Sequence, residues 1–189
     1  MRHGHSVANE KSKIVSAPKV GCSNFGLTVE GQNQVQRSAE HHADLLSTLS
    51  MIYTSDFLRA VQTAETIASN FNIQCKINVG LRERYFGIYE GRSTDFYSKI
   101  WEADLTGTHD LAEQVETVNA VARRMTDTVL GLEEEHPEGT ILLVSHGDPL
   151  QILLTRFNGV SPKSHRLIPQ IDTAEIIPLK RHRKLCGCL

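Results

Sequence analysis

The chain has 189 residues, 40% of them hydrophobic and 22% charged, with a formal net charge of −2 at pH 7. That length suits a single domain with a sizeable buried core, read as residues 1–179 followed by a basic tail over 180–189. The near-neutral balance gives no reason to expect nucleic acid or a membrane surface as partner, and no run is apolar enough to span a bilayer.

The opening residues do not have the pattern of a secretory signal. Cys22, Cys75, Cys186 and Cys188 form neither a disulfide framework nor a zinc-site spacing. A reducing, cytoplasmic compartment is therefore expected. The oligomeric state is not legible in the sequence.

The chain begins with Arg2-His3-Gly4-His5-Ser6, a cation beside an imidazole with a glycine for the backbone to turn on. Such a group can move a phosphoryl: the ring nitrogen attacks phosphorus while the guanidinium grips phosphate oxygens. Residues 10 to 25 lack periodicity and suggest a loop. Gly26-Leu27-Thr28 leads into a helical pattern over 29 to 47, with Thr28 as N-cap. Met51–Thr54 reads as a buried strand ending at Ser55-Asp56, a helix-start signal. A helix from Leu58 to Asn70 carries Arg59 in its first turn. A second strand is expected over 74 to 79. The stretch from Leu81 to Gly91, dense in charge, aromatics and glycine, suits a functional loop. A short helix near 93 to 103 and a long one over 111 to 135 follow. Thr140–Val144 is the clearest buried strand and runs into Ser145-His146-Gly147-Asp148-Pro149. There Asp148 is expected as N-cap and Pro149 at the first helical position. A last strand is expected near 174 to 179. Alternating strands and helices predict an α/β three-layer sandwich with a mostly parallel sheet.

Open sheets of this kind bind ligands beyond the C-terminal ends of their strands. Arg59, Glu83 and His146 follow strands in this way. With Arg2 and His3 they would give two arginines and two histidines around one dianionic phosphate. Taken singly, each has a plainer explanation: a solvated terminus, a surface helix arginine, a loop charge, a core histidine. One shared site accounts for all of them together.

These segments resemble the histidine phosphatases, or phosphoglycerate mutase-like superfamily. The likeness rests on Arg2-His3-Gly4 with Ser6 and Asn9; Gly26-Leu27-Thr28 with Gly31; and Ser55-Asp56-Phe57-Leu58-Arg59-Ala60 through Glu65. It continues in Leu81-Arg82-Glu83 with Phe86-Gly87 and Glu90-Gly91, and in Val144-Ser145-His146-Gly147. The resemblance implies a phosphomonoesterase acting on a small phosphorylated substrate, with no metal or other cofactor. His3 would become phosphohistidine. Arg2, Arg59 and His146 would hold the phosphoryl group, with Asn9 and Gly147 beside it, and Glu83 would protonate the leaving oxygen. A proton-donating Glu83 needs Arg82 and Arg84 to point away from it. Asp148 is a second candidate donor. His5 stands where such proteins more often carry an acid, and is expected to shape substrate choice.

Three departures from the family pattern stand out. Relatives carry a hydrophobic strand before Arg-His-Gly, so this chain is expected to lack that strand of the sheet. Ala112-Glu113-Gln114 replaces a usual Gly-Glu-Ser. The ending Cys186-Gly187-Cys188-Leu189 formally fits a prenylation box after a basic cluster, though Gly187 is not aliphatic. Three rival readings follow. One is a phosphoglycerate mutase-type transferase, disfavoured by the short stretch between Glu83 and His146, whose only proline is Pro137. The others are a non-catalytic phosphate-binding protein and a metal hydrolase built on His3 and His5.

Overall fold

A computed structural model describes residues 1–179. Three parallel strands stand in the order β2–β1–β3: β1 is Leu49–Thr54, β2 Cys75–Ile77 and β3 Thr140–Val144. In chain order the helices are α1 (Val7–Glu10), α2 (Pro18–Gly21), α3 (Val29–His41), α4 (Ala43–Leu46), α5 (Leu58–Phe71), α6 (Phe96–Thr106), α7 (Val118–Glu135) and α8 (Gly147–Asn158).

Strand side chains alternate between faces, and this alternation builds two cores. Ile52, Leu142 and Val144 meet Val35 and Ala39 of α3 and Ala60, Ala64 and Ile67 of α5. Tyr53, Ile141 and Leu143 meet Val121, Met125 and Val129 of α7 and Ile152 and Leu153 of α8. The result is the expected α/β sandwich, with every described strand parallel. The carboxyl ends of β1 and β3 lie together, Thr54 opposite Val144, so the residues that follow them emerge side by side.

Several expected elements differ in the structure. The helix expected over 29 to 47 divides at His42 into α3 and the one-turn α4, although Thr28 caps α3 as read, accepting from Gly31 N at 3.0 Å. The long helix starts at Val118, where Thr117 caps it, and not at 111. A 3₁₀ turn at Leu111–Glu113 ends on Gln114, whose φ of 54° breaks the helical path. The loop over 10 to 25 includes all of α2; single turns leave no periodicity to read.

No strand forms over 174–179. Its neighbour would be the first three residues, and these are too few for a ladder. Met1–His3 lie along the free edge of β3 as a stub: the Met1 ammonium donates to Leu143 O (2.8 Å), Ser145 N to Met1 O (3.1 Å) and His3 N to Ser145 O (3.0 Å). The stub in turn holds the chain at 174–175, through Arg2 N to Glu175 O and Ala174 N to His3 O. The strand expected to be lacking is thus reduced to one bridge, Arg2 with Ser145. Below the stub runs an apolar groove of about 420 Å³ lined by Met1, Leu46, Leu143, Leu154, Ile176 and Ile177. Burial there lowers the pKa of the Met1 amine to about 5.

Among the described residues no helix is long and apolar enough to cross a membrane. The basic tail and the prenylation-like Cys186 lie outside the described residues.

Two glycines let the Arg2-His3 loop sit on α3. A Cβ on Gly31 would stand 1.9 Å from His5 O, and one on Gly4 2.7 Å from Gly31 O. Gly4 therefore serves close approach to a helix as well as the turn read from the sequence. The substitution Gly31→Ala must push α3 and the loop apart. We expect a loss of about 1–3 kcal/mol of stability by denaturant titration, as for other overpacked sites, with a fall in any activity that depends on His3.

Candidate active site

His3 and Arg59 are reached from different elements, the stub beside β3 and the first turn of α5, yet both side chains are buried. His146 follows β3 after Ser145 and is fully buried as the N-cap residue of α8. Glu83 sits just after the 3₁₀ turn Val79–Leu81, which follows β2. The structure brings all five expected residues, Arg2, His3, Arg59, Glu83 and His146, to the carboxyl ends of the strands.

Arg59 organises the group. Its Nε donates to Nε2 of His3 at 3.1 Å and to Nδ1 of His146 at 3.2 Å. A nitrogen that accepts carries no proton, so the hydrogen bonds assign both tautomers. His3 holds its proton on Nδ1 and donates it to Gly4 O at 2.8 Å. His146 holds its proton on Nε2 and donates it to Ser55 Oγ at 2.9 Å. Burial lowers the pKa of His3 well below 6.5, and Arg59 and Arg2 lower it further. His146 is lowered well below 6.5 by burial and Arg59 in the same way. Both rings are neutral at physiological pH, and Nε2 of His3 is unprotonated, its lone pair accepting from Arg59.

Arg59 Nη2 donates to Val15 O (3.0 Å) and reaches Glu83 Oε2 (3.4 Å). Its Nη1 is buried without a partner among the described residues, and so is Nε of Arg2, whose Nη1 donates to Ile171 O at 2.6 Å. An unpaired buried donor is costly, doubly so on a cation. Two such donors beside one imidazole form a cradle for an anion with several oxygens.

Glu83 accepts from Arg84 N through Oε1 (2.9 Å), and its Oε2 stands 3.8 Å from His146 Nδ1. Burial raises its pKa to about 7 against the pull of Arg59. Arg82 and Arg84 do point away, as a proton-donating role requires. Arg82 pairs with Asp56 at 2.5 Å, while Arg84 is fully buried between Asp104 (2.7 Å) and Asp148 (3.1 Å).

Asn9 spends its Oδ1 on Ser6 N (3.0 Å) and Ser6 Oγ (2.8 Å), and the residue lines the cavity with Ser6. Gly147 lies against Arg2, where an added Cβ would stand 3.4 Å from the guanidinium carbon.

Asp148 is not the expected cap. α8 starts at Gly147, so Asp148 lies within its first turn and turns its side chain to Arg84 and to Trp101 Nε1 (3.0 Å), with His165 3.4 Å away. Burial raises its pKa, but His165 and Arg84 outweigh that and hold it at about 2. It is an ion-pair partner and not a second proton donor. His5 bonds Thr28 Oγ1 at 3.1 Å and does not line the cavity. Glu113, in the segment replacing Gly-Glu-Ser, bonds Tyr89 and Lys99 instead of facing the site. Among the described residues no three His, Cys, Asp or Glu side chains are grouped to hold a metal ion.

The cavity measures about 200 Å³, and part of its wall was not foreseen: Lys13, Tyr97, Trp101, Gln151 and Arg166. Tyr97 and Trp101 stand four apart on α6, a spacing that puts both rings on one face and was open to detection. Nothing in the sequence around Arg166 marks it.

The Arg84 pairs tie α6 to α8 beneath the site. Removing one partner of a buried ion pair leaves an uncompensated charge. Arg84→Met should therefore cost about 3–5 kcal/mol in denaturant unfolding, and should weaken activity by releasing Asp148 and Trp101.

Comparison with known proteins shows the family and the fold. The probable phosphoglycerate mutase GpmB of Cronobacter sakazakii is 31% identical over 171 residues, which cover 88% of this chain and 76% of that protein. The uncharacterized phosphatase PhoE of Bacillus subtilis is 25% identical over 170 residues, covering 89% and 81%. Among solved structures, YhfR of Bacillus stearothermophilus superposes with a TM-score of 0.78 at 22% identity, covering 100% of this chain and 95% of that one. A mycobacterial glucosyl-3-phosphoglycerate phosphatase does so with a TM-score of 0.77 at 21% identity, covering 92% and 85%. The model of the histidine phosphatase superfamily (branch 1) matches residues 1–188, and the chain belongs to that family.

Proposed function

We propose that His3 is the nucleophile of this chain and Glu83 its proton donor, within one domain over residues 1–179. Family membership makes the protein a phosphatase of phosphate monoesters that works through a phosphohistidine. The observation that carries the residue assignment is the unprotonated Nε2 of His3, held at Arg59 beside two unpartnered guanidinium donors.

The steps follow from these groups. A phosphoryl group settles against Arg2, Arg59 and His146, with Asn9 and Gly147 at its edge. The His3 lone pair forms an N–P bond as the bond from phosphorus to the ester oxygen breaks. Glu83 gives its proton to that oxygen, and the alcohol leaves. Glu83, now a carboxylate, takes a proton from water as the water oxygen bonds to phosphorus. The N–P bond breaks, phosphate departs and both residues return to their starting states. Preorganised cations carry much of the rate enhancement, since they bind charge as it develops.

The short stretch between Glu83 and His146 favours hydrolysis over a mutase reaction, because it leaves little chain to cover a bound intermediate. The mutase reading predicts interconversion of monophosphoglycerates when bisphosphoglycerate is supplied, and the hydrolytic reading predicts release of phosphate. The free thiols of Cys22 and Cys75 support a reducing, cytoplasmic setting.

The pH profile tests the roles of both residues. The free enzyme holds Glu83 as an acid below about 7, so kcat/KM should fall as pH rises through that value. His3 stays neutral far below 6.5 and contributes no acid limb in the range above it. Any fall near pH ~6 then belongs to the second ionisation of the substrate phosphate. Glu83→Gln should remove the alkaline limb and lower kcat for an alkyl phosphate by about 10²–10⁴-fold. His3→Ala should abolish turnover while vanadate still binds. Turnover that persists in His3→Ala would overturn the assignment.

A further inference from the structure

We propose that the hydroxyl of Tyr97 is a further catalytic group: it donates a hydrogen bond to the oxygen that Glu83 protonates, the ester oxygen in the first half of the reaction and the water in the second. This rests on the phosphatase reading and adds a residue to its chemistry.

Tyr97 stands in the first turn of α6 and lines the same cavity as His3, Arg59 and Glu83. Its ring is fixed on two sides. It stacks on Trp101 at 5.0 Å and 7°, and meets Phe86 in a T-shaped contact at 5.1 Å and 65°. Trp101 is held in turn: its Nε1 donates to Asp148 at 3.0 Å, and the guanidinium carbon of Arg166 lies 3.6 Å from its ring centroid. Phe86 is buried, and its backbone N donates to Ser16 Oγ at 3.0 Å. The phenol oxygen is thus carried on a ring with little freedom, as a group that must meet a brief geometry requires.

That oxygen has no hydrogen-bond partner among the described residues, whereas a tyrosine hydroxyl drawn into a protein usually finds one. Burial pushes its pKa up, Glu83 and Asp148 push it further, and Arg59 and Arg2 only partly oppose them. The phenol therefore keeps its proton over the working range and is a donor. Of the charged groups around it Glu83 has the largest effect, which sets the hydroxyl on the acid's side of the cavity. The oxygens of the phosphoryl group have Nη1 of Arg59 and Nε of Arg2, both without a partner among the described residues. The departing oxygen has only Glu83. An ester oxygen has two lone pairs, so one is left for Tyr97.

Charge gathers on that oxygen in the loose transition state of phosphoryl transfer, and a preorganised donor stabilises it. Glu83 gives up its proton as the bond to phosphorus breaks, while Tyr97 keeps its own. On the return, the water gives one proton to Glu83, accepts from Tyr97 with one lone pair and bonds to phosphorus with the other.

The test is Tyr97→Phe, which removes one oxygen atom and keeps the stacked ring. Benzyl phosphate and 4-nitrophenyl phosphate are compared by kcat/KM, which reports the steps up to loss of the alcohol. For benzyl phosphate, whose departing oxygen is strongly basic, the variant should lose about tenfold, as for a hydrogen bond to a charged group. The 4-nitrophenolate oxygen spreads its charge into the ring and should lose less than about twofold. The readout is the ratio of the two esters within one protein, so a general loss of fold cancels. An equal fall for both would put the phenol on the phosphoryl oxygens, and no fall for either would make it a packing residue; each overturns the inference. If the wild type fails to turn over both esters, the phosphatase reading fails. There, or if only one ester reacts, vanadate decides, since its apical oxygen on His3 stands where the departing oxygen would. Binding weakened about tenfold in Tyr97→Phe supports the inference; equal binding, or none by the wild type, overturns it.

Discussion

A buried guanidinium, Arg59, and a half-buried one, Arg2, lie next to two imidazoles, and the rest of the site answers to that crowding of positive charge. Neighbouring cations and burial together keep both rings neutral, since a protonated ring there would meet Arg59 at hydrogen-bonding distance. Neutral rings can then accept from Arg59, and accepting sets which nitrogen is bare. Electrostatics decides the protonation state, and the hydrogen bonds decide its geometry. Glu83 sits in the same field with the opposite demand. Burial keeps its proton on despite Arg59, and the neighbouring arginines are drawn off by Asp56, Asp104 and Asp148.

The ion cluster around Arg84 gives this arrangement its rigidity. Arg84 bonds Glu116 O (2.8 Å) as well as both aspartates, while His109 bonds Asp104 at 2.6 Å. These contacts join the segment after Glu83, helices α6 and α8, and the entry to α7. The same cluster reaches the cavity wall through Asp148 and Trp101. A substitution well away from any reacting atom can therefore disturb both the wall and the acid.

Much of this was legible in the sequence because it is local. Thr140–Val144 is a continuous apolar run with β-branched ends, and its strand bounds agree with the structure. Thr28 announces the start of α3. Arg2, His3, Arg59, Glu83 and His146 could be grouped because each follows a strand or takes a strand's place. What could not be read depends on distant partners. Asp148 looked like a cap until a fully buried Arg84 claimed it. The segment over 174–179 is apolar enough for a strand, but a strand needs a neighbour, and Met1–His3 meet it through two backbone hydrogen bonds at 174–175 while their one bridge goes to Ser145. Arg166 gains its setting from Trp101, far away in the chain and without any periodic signal to connect them.

The backbone beside His3 is held by main-chain groups of two distant segments: His3 N donates to Ser145 O, Ala174 N to His3 O and Arg2 N to Glu175 O. Such bonds survive a change of side chain, proline at a donating position excepted. The sequence at Ser145, Ala174 and Glu175 can therefore drift without moving the imidazole, whereas proline at His3 or Ala174 would cut one of these ties outright.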